Sequence, residues 1–247
     1  MNDVIIEVKD LKNKLGGQWV HKGIDLDIRR KEIIGIVGGS GSGKTTFLRS
    51  ILMLQKPTSG IVKVFGTDIL TAKHKALDDI RRRWGVLFQQ SALFSSMTVL
   101  ENVLFPIREF IPHLPEAFMQ HIGLLKIALV GLPSSAAYKY PSELSGGMQK
   151  RAAAARAIAL DPELLFFDEP TSGLDPVSSR EIDQLVLHLR DMLGLTILVV
   201  THDPESLKVT DRVAFLGEGK LLDCAPLTEL RKNPHPAIQS YFTGKEH

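Results

Sequence analysis

Gly38-Gly39-Ser40-Gly41-Ser42-Gly43-Lys44-Thr45-Thr46 holds the pattern G-x-x-x-x-G-K-T between Gly38 and Thr45. Upstream, EIIGIV at 32–37 is an apolar, β-branched run that reads as a buried strand. Downstream, TTFLRSILML carries apolar residues at helical spacing and stops before Pro57. Strand, glycine loop and helix in succession are the context in which this pattern binds phosphate. Glycines let the backbone curl until successive N–H groups converge on one anion, with a helix N-terminus behind them. Lys44 offers a point charge for β- and γ-phosphates, and Thr45 a hydroxyl for Mg²⁺. A glycine-rich turn without a ligand does not need Lys-Thr there. The loop is expected to bind a nucleoside triphosphate.

The 247 residues suffice for one α/β core with a lobe or for two small domains. Apolar residues at 44% and charged ones at 23% are ordinary for a soluble globular protein. A formal charge of +2 points away from nucleic acid. Arg81-Arg82-Arg83, the sharpest basic cluster, reads as a solvated face or an edge before a strand. The one cysteine, Cys224, excludes an internal disulfide and fits a reducing compartment, with a packing role inside an apolar-flanked stretch. MNDVIIEVKD is acidic where a signal peptide needs a basic start, and LTILVV at 195–200 is too short to span a bilayer. The expectation is a cytoplasmic chain whose membrane role is borrowed from a partner.

VIIEV (4–8) and IDLDI (24–28) read as strands flanking a Gly16-Gly17 turn. Past the opening loop come a Pro57–Gly60 turn, the strand IVKVF, a helix-like TAKHKALDDIRRR and the buried strand WGVLFQ at 84–89. From Gln90 to Leu144, helical patterns alternate with breaks at Pro106, Pro112, Pro115, Gly131, Pro133 and Pro141, which reads as a helical insertion. IGLLKIALVGL at 122–132 is its expected core helix. MQKRAAAARAIAL then predicts a helix, ELLFFDE a strand, SSREIDQLVLHLRDML a helix, and LTILVV and RVAFL further strands before a hairpin in GEGKLLD. Alternating strands and helices argue for a largely parallel sheet. His74 and His188 read as solvated.

LLFFDE places Asp168 and Glu169 at the carboxyl end of an apolar strand, the edge where α/β sheets bind ligands. There Asp168 would hold Mg²⁺ and Glu169 would orient or deprotonate an attacking water. LSGGM at 144–148 opens a helix, with Ser145 as N-cap and Gly146-Gly147 leaving backbone N–H groups bare. A second phosphate-binding helix end is redundant in one nucleotide site, and makes sense if it serves a neighbouring subunit.

On these residues the chain resembles, over essentially its whole length, the ATP-binding subunits of ABC transporters. GGSGSGKT matches the Walker A loop, Gln89 the Q-loop, LSGGM the signature and LLFFDE the Walker B strand. Ser172-Gly173-Leu174-Asp175 matches the D-loop and His202 the switch histidine. The resemblance implies a P-loop NTPase fold with a RecA-like α/β core and antiparallel β subdomain (1–89 and 145–232), a helical signature lobe (90–144) and a C-terminal extension (233–247). It implies ATP and Mg²⁺ as cofactors and a homodimer closed around two ATP molecules. Gly38 and Ser40 to Thr46 would cradle phosphates, with Thr45, Gln89 and Asp168 at the metal. Glu169 would be the general base, His202 would contact the γ-phosphate, and Asp175 would line the nucleotide site. Ser145, Gly146 and Gly147 would bind the partner's ATP. Two positions depart from the pattern: Met148 stands where the common signature has Gln, and Leu15 stands where an aromatic often stacks on adenine. Trp19 is the nearest aromatic, as adenine platform or as packing.

QQSALFSSMTVLENVLFPIRE (89–109) together with LSGGM looks closest to the Mla-type ATPases that energise phospholipid transport between bacterial membranes. That resemblance implies an inner-membrane permease, a periplasmic MCE-domain protein, a STAS-domain protein and a location on the cytoplasmic face of the inner membrane. Phe94, Met97, Val99 and Glu101 would line the groove that receives a permease helix, or pack inside the lobe. Ile238, Tyr241 and Phe242 would pack against the partner ATPase, or on their own chain. An importer subunit for a polar nutrient such as an amino acid is the alternative. Soluble ABC ATPases of DNA repair or translation carry a coiled-coil insertion or two ATPase units, and a small-molecule kinase has no use for LSGGM.

Overall fold

The computed structural model describes residues 3–243. In chain order they form β1 (Val4–Leu15), β2 (Gln18–Arg29), β3 (Ile33–Val37), α1 (Lys44–Ile51), β4 (Ser59–Val64) and β5 (Thr67–Asp68). α2 (His74–Arg82), β6 (Trp84–Leu87), α3 (Val99–Phe110), α4 (Glu116–Leu129) and α5 (Gly146–Ala157) follow. β7 (Leu164–Asp168), α6 (Pro176–Leu193), β8 (Thr196–Val200), β9 (Arg212–Gly217), β10 (Lys220–Ala225), α7 (Leu227–Leu230) and α8 (Pro236–Thr243) complete the order. Two units emerge, Met1–Ile80 with Thr196–His247, and Arg81–Leu195.

In the first unit, every residue of β3 and β8 is buried, as strands covered on both faces of a parallel sheet require. β3 pairs in parallel with β8 (Ile36 opposite Val200) and with β9 (Val37 opposite Phe215), and β10 closes antiparallel on β9. A second, antiparallel sheet runs β2-β1-β4-β5. β1 and β2 are twelve residues each, longer than the alternation at 4–8 and 24–28 predicts. A register shift between Val8 and Leu11, with Asp10 at φ 45°, interrupts the period of two and hides the continuation. The turn at Gly16 and Gly17 forms as expected, both at positive φ. Cys224 is half-buried rather than fully packed away; Arg212 Nη2 donates to its Sγ at 2.8 Å, and burial pushes the thiol up. α8 lays Ile238 into a cluster with Val37, Leu207, Phe215 and Leu230, while Tyr241 meets Phe215 edge-on at 5.4 Å. Own-chain packing therefore claims Ile238 and Tyr241. Residues 244–247 of the expected extension lie outside the described residues.

The second unit pairs β6 in parallel with β7, Trp84 opposite Leu164 and Leu87 opposite Phe167. Behind them α5 buries Ala152, Ala153, Ala154, Ala155 and Ala157. The approach is so close that a Cβ on Gly85 would lie 2.0 Å from the Ala157 carbonyl oxygen. Arg83 joins β6 to β7 through an ion pair with Glu163 at 2.7 Å, so the basic triplet does edge a strand. α3 starts at a capping box in which Thr98 and Glu101 each accept from the other's backbone N–H. Pro106 lies inside α3 and does not end it. Losing one helical hydrogen bond and the ring clash costs about 3 kcal/mol. Burying Leu100, Val103, Leu104 and Ile107 contributes roughly 1.5–3 kcal/mol for each side chain, which outweighs it. α4 begins at Glu116, six residues before the apolar run 122–132, because Pro115 fixes its entry, and it stops before Gly131 at φ 74°. Among the described residues, no helix is long and apolar enough to cross a membrane.

Candidate functional site

The glycine loop leaves β3 and enters α1 without a side-chain cap, so the first N–H groups of the helix stay available to a ligand. Gly38, Gly41 and Gly43 are all at positive φ. A Cβ on Gly38 would lie 2.1 Å from the Leu216 carbonyl oxygen, and one on Gly43 2.3 Å from His21 Nε2. Only glycine closes this curl. Lys44 folds back over it, Nζ donating to the carbonyls of Gly38 at 2.8 Å and Gly39 at 3.1 Å. Ser42 Oγ is buried with no hydrogen-bond partner. Ser40, Gly41 and Thr45 are exposed, and Thr46 gives its carbonyl to Ser50 Oγ. An uncapped helix start, a cradle that admits no Cβ and a buried hydroxyl awaiting a partner suit an anionic ligand with several oxygens.

Beneath the loop lies His21, fully buried against the Gly43 backbone, its ring edge-on to Phe47. Burial lowers its pKa to about 4, so the imidazole is neutral at physiological pH. Its only trace in the sequence is a histidine at an inward position of an alternating strand. His202 is exposed just beyond β8, where Thr201 Oγ accepts from Asp203 N–H at 3.0 Å and turns the chain. Tyr241 donates to the His202 carbonyl at 3.2 Å. Because β3 and β8 run parallel in register, the glycine loop and His202 leave the same edge of that sheet. A cavity of about 1030 Å³ opens beside Gly39–Ser42, and Trp19, Lys22 and Tyr241 share its lining while Leu15 does not.

The other motif residues lie in the second unit. Asp168 ends β7, and Glu169 follows in the left-handed region at φ 50°, strained for a residue with a side chain. Gln89 is exposed, and its Nε2 approaches Ser172 Oγ at 3.4 Å. Ser172 N–H in turn donates to the Glu169 carbonyl. Ser145 is the N-cap of α5, accepting from Met148 N–H at 3.3 Å. Gly146 starts α5 close to Leu174, where an added Cβ would sit 3.1 Å from its Cδ2; Gly147 faces Ser178 with more room. Asp175 caps α6, accepting from Val177 and Ser178 N–H and from Ser178 Oγ, and the Ser178 bonds hold its carboxyl below the usual range. The amide missing at Met148 is found one residue on. Gln149 Nε2 donates to the carbonyls of Pro141 at 3.0 Å and Leu144 at 3.3 Å, bracing the approach to LSGGM.

Three residues here escaped the sequence reading. Lys150 is buried in α5. Arg156 holds the loop after Gln89 by donating to the carbonyls of Ser91 and Ala92. Buried Asn102 accepts from Phe94 N–H and donates to the carbonyls of Phe94, Met97 and Thr98. A groove of about 440 Å³ is lined by Trp84, Phe88, Phe94, Phe105, Phe110 and Arg156 among others. Of the four residues expected to line a groove, only Phe94 does. Val99 is the buried first residue of α3, and Glu101 is occupied by its capping box.

The "ABC transporter" family matches residues 21–172. The chain is 44% identical, over 99% of its length and 92% of the relative's, to the intermembrane phospholipid transport system ATP-binding protein MlaF of Haemophilus influenzae. It is 38% identical to the probable ribonucleotide transport ATP-binding protein mkl of Mycobacterium leprae, over 98% of this chain and 70% of that one. Among solved structures, a dimeric ATP-binding cassette in a post-hydrolysis state bound to ADP and Pi superposes with TM-score 0.81 at 33% identity, covering 90% of this chain and 98% of that one. Fold, motif order and relatives agree: this chain belongs to the ABC transporter family, as an ATP-binding, ATP-hydrolysing cassette with the P-loop fold.

Proposed function

We propose that this cassette drives phospholipid transport between the inner and outer membranes of a bacterium, as the ATPase subunit of a complex with a permease and an MCE-domain protein. The observation that carries the reading is the 44% identity to a phospholipid-transport ATPase along 99% of the chain. A STAS-domain protein completes the complex, and the chain lies on the cytoplasmic face of the inner membrane. The aromatic groove around Phe94 receives a cytoplasmic helix of the permease. Residues 90–144 act as a helical lobe on a single cassette, with 233–247 as its extension.

Two copies close around two ATP molecules. Gly38, Ser40, Gly41, Ser42, Gly43, Lys44 and Thr46 hold the phosphates of one nucleotide, and Ser145, Gly146 and Gly147 of the other copy complete that site, with Asp175 beside it. Trp19 stacks on adenine, a role supported by its place in the cavity next to Gly39–Ser42. Thr45, Gln89 and Asp168 would hold Mg²⁺ through the hard oxygen donors that this ion prefers. When bound, the metal supplies charge neutralisation at the transferring phosphoryl group. Glu169 takes a proton from the attacking water as its oxygen bonds to the γ-phosphorus, and the bond from that phosphorus to the bridging oxygen breaks to release ADP. His202 steadies the γ-phosphate.

Glu169→Gln is expected to keep ATP affinity, lose at least about 100-fold in turnover and accumulate as a closed dimer. Substantial steady-state hydrolysis by that variant would remove Glu169 as the base. Similarity to mkl favours a second reading, an importer cassette for a polar solute. Purification of the native complex separates the two: an MCE protein with phospholipid carries the first, a soluble solute-binding protein the second.

A further inference from the structure

Lys150 is one of the few buried cations of the second unit, with 4% of its surface exposed. It lies on α5 five residues after Ser145, on the helix that LSGGM opens. Its Nζ donates to two main-chain carbonyls from different elements, that of Gln89 at 2.5 Å and that of Glu169 at 3.3 Å. Burial works against its charge, and the carboxylates of Asp168 and Glu169 work for it. A neutral side chain would fill the same space in an alanine-rich helix at lower desolvation cost, so the cation is there for what it binds.

We propose that Lys150 is a positioning residue for hydrolysis, tying the helix of the signature segment to the backbone of Glu169 and to Gln89. The peptide after Glu169 is the sensitive element. At φ 50° this residue is held against its own preference, and the direction of its Cα–Cβ bond follows from how that peptide is fixed. Two donors fix it, Ser172 N–H and Lys150 Nζ. The same ammonium group fixes the carbonyl of Gln89, and so the exit of the chain from β6. A shift of α5 at Ser145 is therefore delivered to the base and to the Gln89 loop together. A helix turn is stiff enough to carry it, because Ser145 and Lys150 are only about 7.5 Å apart along the axis. The inference rests on the hydrolytic reading of Glu169 above.

Lys150→Met keeps the volume and removes the donors; Lys150→Arg keeps donors and charge; Lys150→Gln brings a neutral amide one bond too short to reach both carbonyls. Lys126→Met is the control, since Lys126 is equally buried in the same unit and pairs with Asp161, which belongs to none of the motifs. ATP turnover, KM, fluorescent-ATP affinity and melting temperature are measured for the full chain in each form. Lys150→Met and Lys150→Gln are expected to lose about tenfold to 100-fold in kcat with KM and nucleotide affinity within about threefold, the signature of a misplaced catalytic group. Lys150→Arg is expected to recover most of it. Should the Met variant fail to fold, the Gln variant carries the same expectation. A kcat loss no larger than that of Lys126→Met at equal melting temperature would overturn the inference, as would a loss residing in KM or affinity. Wild-type turnover by Glu169→Gln would overturn the hydrolytic reading with it. Lys150 variants at the wild-type rate, with Glu169→Gln inactive, would overturn this inference alone.

Discussion

Burial holds His21 neutral directly under the glycine loop, and this has a cost in acid. The imidazole titrates near 6.5 in the unfolded chain and near 4 in the folded one. Between those values the unfolded chain binds more protons, so the stabilisation is complete above pH 6.5 and is lost as pH falls toward 4. The loss is on the order of 3 kcal/mol. His21→Leu should flatten this part of the stability profile in denaturant titrations run across that window; an acid limb that persists would mean the histidine is solvated. Trp19 is testable as directly. It is exposed beside the loop, whereas Trp84 meets Phe166 edge-on in the second unit. ATP should quench Trp19 fluorescence, and Trp19→Ala should weaken ATP binding by about 1–3 kcal/mol, the range of base–aromatic stacking. Unchanged affinity would return Trp19 to simple packing.

At the scale of elements, β6 and α5 depend on a glycine with no conformational reason for being one. Gly85→Ala would drive a methyl against the Ala157 carbonyl oxygen, and should cost about 1–3 kcal/mol or more. Chemical denaturation should show a lower midpoint at unchanged slope; wild-type stability would mean the two elements part without cost. This contact also marks where sequence reading stops. The glycine loop, Ser145, Asp168, Glu169 and His202 stand out as candidates because the chemistry proposed for them demands particular residue types at contiguous positions. β3, β7 and β8 were legible because strands buried on both faces are written as unbroken apolar runs. The far half of β1 was not, because the bulge at Asp10 breaks the alternation that announces a strand. Pro106 looks like a break in the sequence and is not one, since local propensity says nothing of the apolar face that holds α3 together. Lys150 and His21 do not stand out because what surrounds them comes from elsewhere in the chain, Gln89 and Glu169 around one and Gly43 and Phe47 around the other, and Asn102 because a single buried polar residue leaves no pattern.

For the whole molecule, the decisive property is that one copy carries both a phosphate loop and LSGGM, each expected to serve a different nucleotide. A symmetric dimer then has two sites, each drawing its loop from one copy and its signature from the other. Two variants can each be inactive for opposite reasons. Lys44→Ala damages the loop and leaves the signature; Ser145→Arg removes the α5 cap, fills the bare helix start and leaves the loop. Alone, each homodimer holds two broken sites. Mixed in equal amounts, about half the dimers are mixed, and each joins the intact loop of one copy to the intact signature of the other at a single site. If sites act independently, turnover should return to about one quarter of wild type. Strict two-site cooperation would keep it near zero, yet one ATP per mixed dimer would still be trapped when Glu169→Gln is added to both chains. Neither recovered turnover nor trapped nucleotide would mean that loop and signature act within one copy. The dimer would then be incidental to hydrolysis, and the glycines after Ser145 would be only a helix start.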